Sequence, residues 1–310
     1  MKEFSTNYTV RTDLAAEARA YCLEKNGAEP DGVLCGARTV DGITVETLEI
    51  LNETGEKLVG KPRGKYVTVN VGKFWNSDSS YFDRACKTIS GVIRSFIPDG
   101  GGLCLFAGLG NRAITADAVG PFAAENFIVT RHIKNSDESL FNSLQLRETA
   151  CISPGVLAKT GVEGAGIVKS LADEIKPDFI IAVDSLASRS LSRLAATVQV
   201  CNTGISPGSG VNNTRAELSE RTLGVPVIAV GIPMVVEAAT LAHDVVSRAA
   251  EQSGSVIDIE QLLANSPSEF FVTPKDADHI ARDAAKLIGY AVNLALHDDL
   301  TMEEADEFLS

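Results

Sequence analysis

No stretch of this 310-residue chain is apolar for long enough to cross a bilayer. The longest apolar runs, Phe179 to Val183 and Val225 to Ile232, stop well short of the roughly 18 to 20 residues a membrane helix requires. A secretory leader is missing from Met1 to Ala20, where Lys2, Glu3, Arg11 and Asp13 break any apolar core, so the expected location is the cytoplasm. The six cysteines, at positions 22, 35, 86, 104, 151 and 201, include no C-x-x-C pair or other metal-like spacing and read as reduced structural thiols. There is no H-E-x-x-H among the four histidines and no G-x-S-x-G, which excludes a zincin and an α/β-hydrolase elbow. Positive charge is scarce: 28 Lys and Arg against 41 Asp and Glu leave a net charge of −13. Such a surface repels phosphate backbones, so direct nucleic-acid binding is not expected, whereas a basic or neutral protein partner is compatible.

What the chain does hold is enough apolar material, 45% of residues, to build a sizeable core. At about 150 residues per domain the length fits roughly two units or one large α/β domain. From Gly42 to Val71 the segments "GITVETLEIL" and "KYVTVNV" predict an antiparallel hairpin or meander of its own, and Tyr81 to Phe96 a helix ended by "PDGGG". Beyond it, Leu103 to Ala107, Phe179 to Val183, Thr197 to Cys201 and Val227 to Val230 are short continuous apolar runs, as in strands buried on both faces. Helical patterns cover Val162 to Ile175, Leu186 to Leu194, Val235 to Ala250 and Asp276 to His297. The expected class is therefore α/β: a mostly parallel sheet flanked by helices on both faces, with a small N-terminal β-rich elaboration over about residues 33–75.

In such sheets ligands bind beyond the carboxyl ends of the strands. Three loops stand there: Gly108 to Pro121, Asp184 to Ser190, and Asn202 to Val211. Gly108, Gly110 and Ala113 match G-x-G-x-x-A, yet no helix pattern follows at once, and Arg131 and His132 stand where a dinucleotide site needs an acid. Asp117 reads as an Asx-turn residue and Asp184 as a helix N-cap. As a pair at the ends of different strands they also fit an acid and a base, because adjacent like charges make one carboxyl hold its proton. Backbone amides of Gly108, Gly110, Asn111, Gly204, Gly208 and Ser209 are candidates for steadying an oxyanion. Arg131 and His132 are candidate supporting groups. A metal alternative has Asp117, His132 and Asp184 holding a divalent ion, and a non-catalytic module binding nucleotides or proteins stays open.

The ordered strings "YTVRTDLAAEA", "GLGN…TADAVGP", "FIVTRHI", "ISPG", "KPDFIIAVDSLASRS", "CNTGISPGSGV", "LGVPVIAVGIP" and "FFVTPKDAD" resemble the spore germination protease family over nearly the whole chain. The linker between Val246 and Phe270 is shorter than in some members. The resemblance implies an endopeptidase that degrades small acid-soluble spore proteins in the spore core during germination, made as a zymogen and assembled as a homotetramer. It implies a fold similar to the hydrogenase-maturation peptidases, no cofactor, and catalytic aspartates at Asp117 and Asp184. Family substrates are cut between an acidic and a hydrophobic residue followed by Ala, a variable residue and Glu. Asp13, Leu14, Ala15, Ala16 and Glu17 repeat that order. The resemblance thus implies autoprocessing between Asp13 and Leu14, with residues 1–13 as propeptide and 14–310 as one peptidase domain, its core over about 100–297 and an acidic tail over 298–310. The same residues also read as an ordinary helix start, with Thr12 as cap.

Overall fold

A computed structural model describes residues 12–208, 216–253 and 270–309. In chain order the elements are α1 (Ala15–Asn26), β1 (Val33–Val40), β2 (Ile43–Ile50), α2 (Glu53–Val59), β3 (Gly64–Asn70), α3 (Ser79–Arg94), β4 (Cys104–Gly108), a 3-10 turn (Thr115–Asp117), α4 (Val119–Glu125), α5 (Arg131–Ser136), α6 (Glu138–Leu144), β5 (Thr149–Ile152), α7 (Leu157–Thr160), α8 (Gly164–Ile175), β6 (Phe179–Ser188), β7 (Thr197–Cys201), α9 (Glu220–Leu223), β8 (Val227–Glu237), α10 (Ala238–Ser253), β9 (Phe271–Val272), α11 (Ala277–Leu296) and α12 (Met302–Leu309). Among the described residues, no helix is long and apolar enough to cross a membrane.

The strands form one sheet in the order β1-β2-β3-β7-β8-β6-β4-β5, with β9 added on β8. As expected, helices cover both faces. Alternation along β4 sends Cys104 and Phe106 into the core under α3, α4 and α11, and Leu105 and Ala107 into the core under α8. Within the first core, Ile89, Ile93, Ala284, Leu287, Ile288 and Ala291 are buried at spacings of three and four along α3 and α11. Asp78 caps α3 by accepting the Tyr81 N–H at 2.8 Å. A third, smaller core under α1 joins Ala15, Leu48, Ile50 and Tyr66 to Cys201 and Ala229.

Several details depart from expectation. Parallel pairing is confined to β5, β4, β6 and β8, while β1, β2, β3, β7 and β9 pair antiparallel, so the sheet is mixed. The link from β6 to β7 is short and carries no helix, which rules out a crossover to a parallel neighbour. The N-terminal β-segments are not a separate elaboration, because β3 pairs with β7 and carries the sheet straight into the core. The helix expected over Leu186 to Leu194 is absent: β6 runs on to Ser188, paired with the equally long β8. Asp184 is therefore a mid-strand residue and caps nothing. The acidic tail forms α12, which packs through Ala305, Met302 and Leu309, with Asp306 bonded to the Tyr290 hydroxyl.

His297, at the end of α11, is fully buried and accepts the Arg147 N–H through Nδ1 at 3.2 Å. Burial and the Arg147 charge push its pKa down to about 4. The unfolded chain binds this proton near pH 6.5, so the fold loses stability as pH falls from about 6.5 towards 4. Urea denaturation across that window should register a loss of up to about 3 kcal/mol beyond that of His297→Gln. Parallel curves for the two proteins would remove His297 as the cause.

Candidate active site

Across the middle of the sheet, β-pairing sets Gln199 opposite Gly231 and Gly231 opposite Asp184. Directly paired residues project to one face, so Gln199 and Asp184 stand on the same side with a residue lacking a side chain between them. The two outer strands are about 10 Å apart; Leu186 seats its side chain over Gly231, and the two residues line a cleft of about 230 Å³ together with Asp184 and Gln199. It lies where the helices on this face leave the sheet uncovered, between α8 and α1. Lys61, Tyr66, Gly204, Ser206, Gly208 and Glu217 complete its walls. Asp184 is 3% exposed and accepts the Ser185 N–H at 2.8 Å through Oδ1.

The chain's own N-terminal segment enters this cleft. The Asp13 N–H donates to the Ala187 carbonyl at 2.8 Å, in strand fashion, and Leu14 is fully buried. Gln199 grips the peptide at two points: Nε2 donates to the Asp13 carbonyl at 3.2 Å, and Oε1 accepts the Ala15 N–H at 2.8 Å. Lys61 Nζ donates to the Thr12 carbonyl at 2.9 Å. Thr12 does not cap α1, which begins at Ala15; its hydroxyl accepts the Leu14 N–H at 3.0 Å. Asp13, whose carbonyl Gln199 holds, and Asp184 thus line one cavity. Gln199, Lys61 and Gly231 were missed in the sequence. Their one signal was a glutamine inside the otherwise apolar run "TVQVC".

Asp117 ends the 3-10 turn at the carboxyl edge of the sheet, packed on β6, β8 and α11. The Asn111 N–H is shared between the Asp117 carbonyl at 2.8 Å and Oδ2 at 2.9 Å. Gly110 makes this possible, since at φ +115° a Cβ there would lie 2.1 Å from the Asp117 carbonyl oxygen. Asp117 is not among the residues lining the cleft.

The expected oxyanion cradle is corrected in part. Gly204 and Gly208 do line the cleft. Gly108 instead lies within β4, where a Cβ would meet the Gly120 carbonyl at 2.3 Å, so it serves close packing on α4. Gly110 and Asn111 cradle Asp117, and Ser209 lies outside the described residues. Arg131 and His132 are corrected as well. Thr130 bonds Thr149, the first residue of β5, which puts α5 at the amino edge of the parallel strands, opposite Asp117. There Arg131 pairs with Glu148 and His132 is exposed. A metal site built on Asp117 and His132 fails on this geometry. Cys201 also lines the cleft, but burial pushes its thiol pKa up and away from the nucleophilic thiolate.

The family model of the germination protease matches residues 10–256. The chain belongs to the germination protease family. It is 37% identical to the germination protease of a Clostridium perfringens strain over 326 residues, covering 98% of this chain and all of that one. It is 39% identical to that of Caldanaerobacter subterraneus over 321 residues, covering 97% and 98%, and 33% identical to that of Priestia megaterium over 360 residues, covering 96% of each. Among solved structures, a NiFe hydrogenase maturation protease from Thermococcus kodakarensis aligns over 65% of this chain and 98% of its own, with 14% identity and a TM-score of 0.33. Family membership makes the chain a peptidase of spore germination.

The gap over Gly231 is tight: a Cβ there would lie 2.6 Å from Leu186 Cγ. Gly231→Ala should destabilise the chain by about 1–3 kcal/mol in urea denaturation and impair cleavage as Leu186 is driven into the cleft. Adding Leu186→Ala should recover part of both losses, a coupling that independent sites would not show.

Proposed function

We propose that this germination protease is an aspartic-type endopeptidase, made as an inactive precursor, that cuts itself between Asp13 and Leu14 and then degrades small acid-soluble spore proteins in the spore core. The observation that carries the reading is the Asp13 carbonyl, held by Gln199 in the cleft that Asp184 lines.

In the proposed reaction Asp184, from within the cleft, and Asp117, from the 3-10 turn, divide the roles of base and acid. The ionised carboxylate takes a proton from a water, and the water oxygen bonds to the Asp13 carbonyl carbon. The carbonyl electron pair moves to the oxygen that Gln199 Nε2 faces, a donor already in place before charge develops. When the tetrahedral adduct collapses, the carbon–nitrogen bond breaks and the protonated carboxyl delivers its proton to the Leu14 nitrogen. No covalent enzyme intermediate forms. The products are a peptide ending at Asp13 and a chain starting at Leu14. Acting in trans, the same steps require a substrate peptide to replace this segment, and four copies of the chain assemble as the active form.

Replacing either Asp184 or Asp117 by Asn should lower self-cleavage and cleavage of a purified small acid-soluble protein by at least about a thousandfold, with far-ultraviolet circular dichroism unchanged. Mass spectrometry of active enzyme should give Leu14 as the first residue. Full activity in one variant removes that aspartate from the mechanism, and an intact Asp13–Leu14 bond in active enzyme removes the autoprocessing.

A further inference from the structure

β4 ends at Gly108, opposite Val183, whereas β6 continues to Ser188. Past that point β6 keeps β8 on one side and has no β4 on the other. In a parallel strand, residues facing a given side present both N–H and carbonyl to it. The Ala187 carbonyl accepts the Asp13 N–H, and the Ala187 N–H donates to Asp13 Oδ2, both at 2.8 Å. Just beyond the strand end, the Glu17 carboxylate, itself 5% exposed, accepts the Arg189 N–H at 2.6 Å through Oε2 and the Ser190 N–H at 2.9 Å through Oε1. Two carboxylates four residues apart are thus held by backbone donors on one strip, on either side of the carbonyl that Gln199 holds.

We propose that this free end of β6 is the specificity-determining strip for the peptidase. The Ala187 amide reads an acidic side chain on the acyl side of the bond to be cut, the Arg189 and Ser190 amides read a glutamate four residues further on, and Gln199 donates to the carbonyl of the cut bond. The inference rests on cleavage at Asp13–Leu14. The ligand is an acidic peptide, and the donors are neutral backbone groups, whose fixed fork fits a carboxylate with two acceptor oxygens. While the chain's own Asp13 and Glu17 occupy the strip, it is closed to a second peptide.

The test uses the full chain with two readouts, hydrogen exchange at the amides of Arg189 and Ser190 and the rate of conversion at Asp13–Leu14. Glu17→Gln offers one oxygen and one NH₂ in place of two oxygens, so one of the two amides faces another donor. Exchange at these two positions should rise at least about tenfold, and conversion should slow about tenfold. Gln199→Glu keeps an acceptor for the Ala15 N–H and removes the donor to the Asp13 carbonyl. It should slow conversion about a hundredfold while leaving exchange at Arg189 and Ser190 as in the parent chain. Unchanged exchange in Glu17→Gln, or, where the parent chain is cut at Asp13–Leu14, conversion at the parent rate in either variant, overturns the strip. Raised exchange in Glu17→Gln in a chain never cut at Asp13–Leu14 upholds the strip as a docking site and overturns the autoprocessing reading alone.

Discussion

The site depends on an inequality of strand length. β4 stops at Gly108, while β6 and β8 run on together as far as Ser188 and Val236. Ending β4 early frees one edge of β6 and lets the loop from Leu109 to Ala118 fold over the sheet with Asp117 in it. Continuing β6 keeps Asp184 in a strand, where the ladder fixes its direction more firmly than a loop would. A missing side chain at Gly231 then makes room for Leu186 to lie flat on the sheet in the floor of the cleft.

Backbone N–H groups of Ala187, Arg189 and Ser190 and the Gln199 side-chain amide meet the bound segment, and Lys61 donates to its Thr12 carbonyl. This suits a chain with a net charge of −13, which repels acidic peptides at long range. Short-range donors overcome that repulsion only at contact and only where carboxylates arrive with the right spacing, so recognition becomes a matter of geometry more than of charge.

Periodicity made much of the framework legible. The strand at Thr197–Cys201 and the helix at Ala277–Leu296 were readable because burial on both faces, or along a broad stripe, leaves an apolar signature independent of tertiary context. The same rule failed at Asp184, where the apolar run breaks because the side chain faces a cleft, and the break was read as the end of the strand. β1 went unread as a strand because most of it is exposed and alternation never develops. Candidate aspartates were legible as chemistry in a loop or at a strand end, but residues that act through shape, such as Gly231, carry no chemical mark.

Local sequence decided helices such as α3 and α11, where the apolar strands lie, that the charge is negative, and, through a series of ordered motifs, the family. Tertiary structure alone decided that Gln199, Gly231 and Asp184 fall in one row, that Arg131 and His132 lie at the far edge from Asp117, and that the segment around Asp13 lies along β6. Pairing between strands distant in sequence sets those relations, and register, unlike periodicity, is a property of two segments at once that neither one encodes by itself.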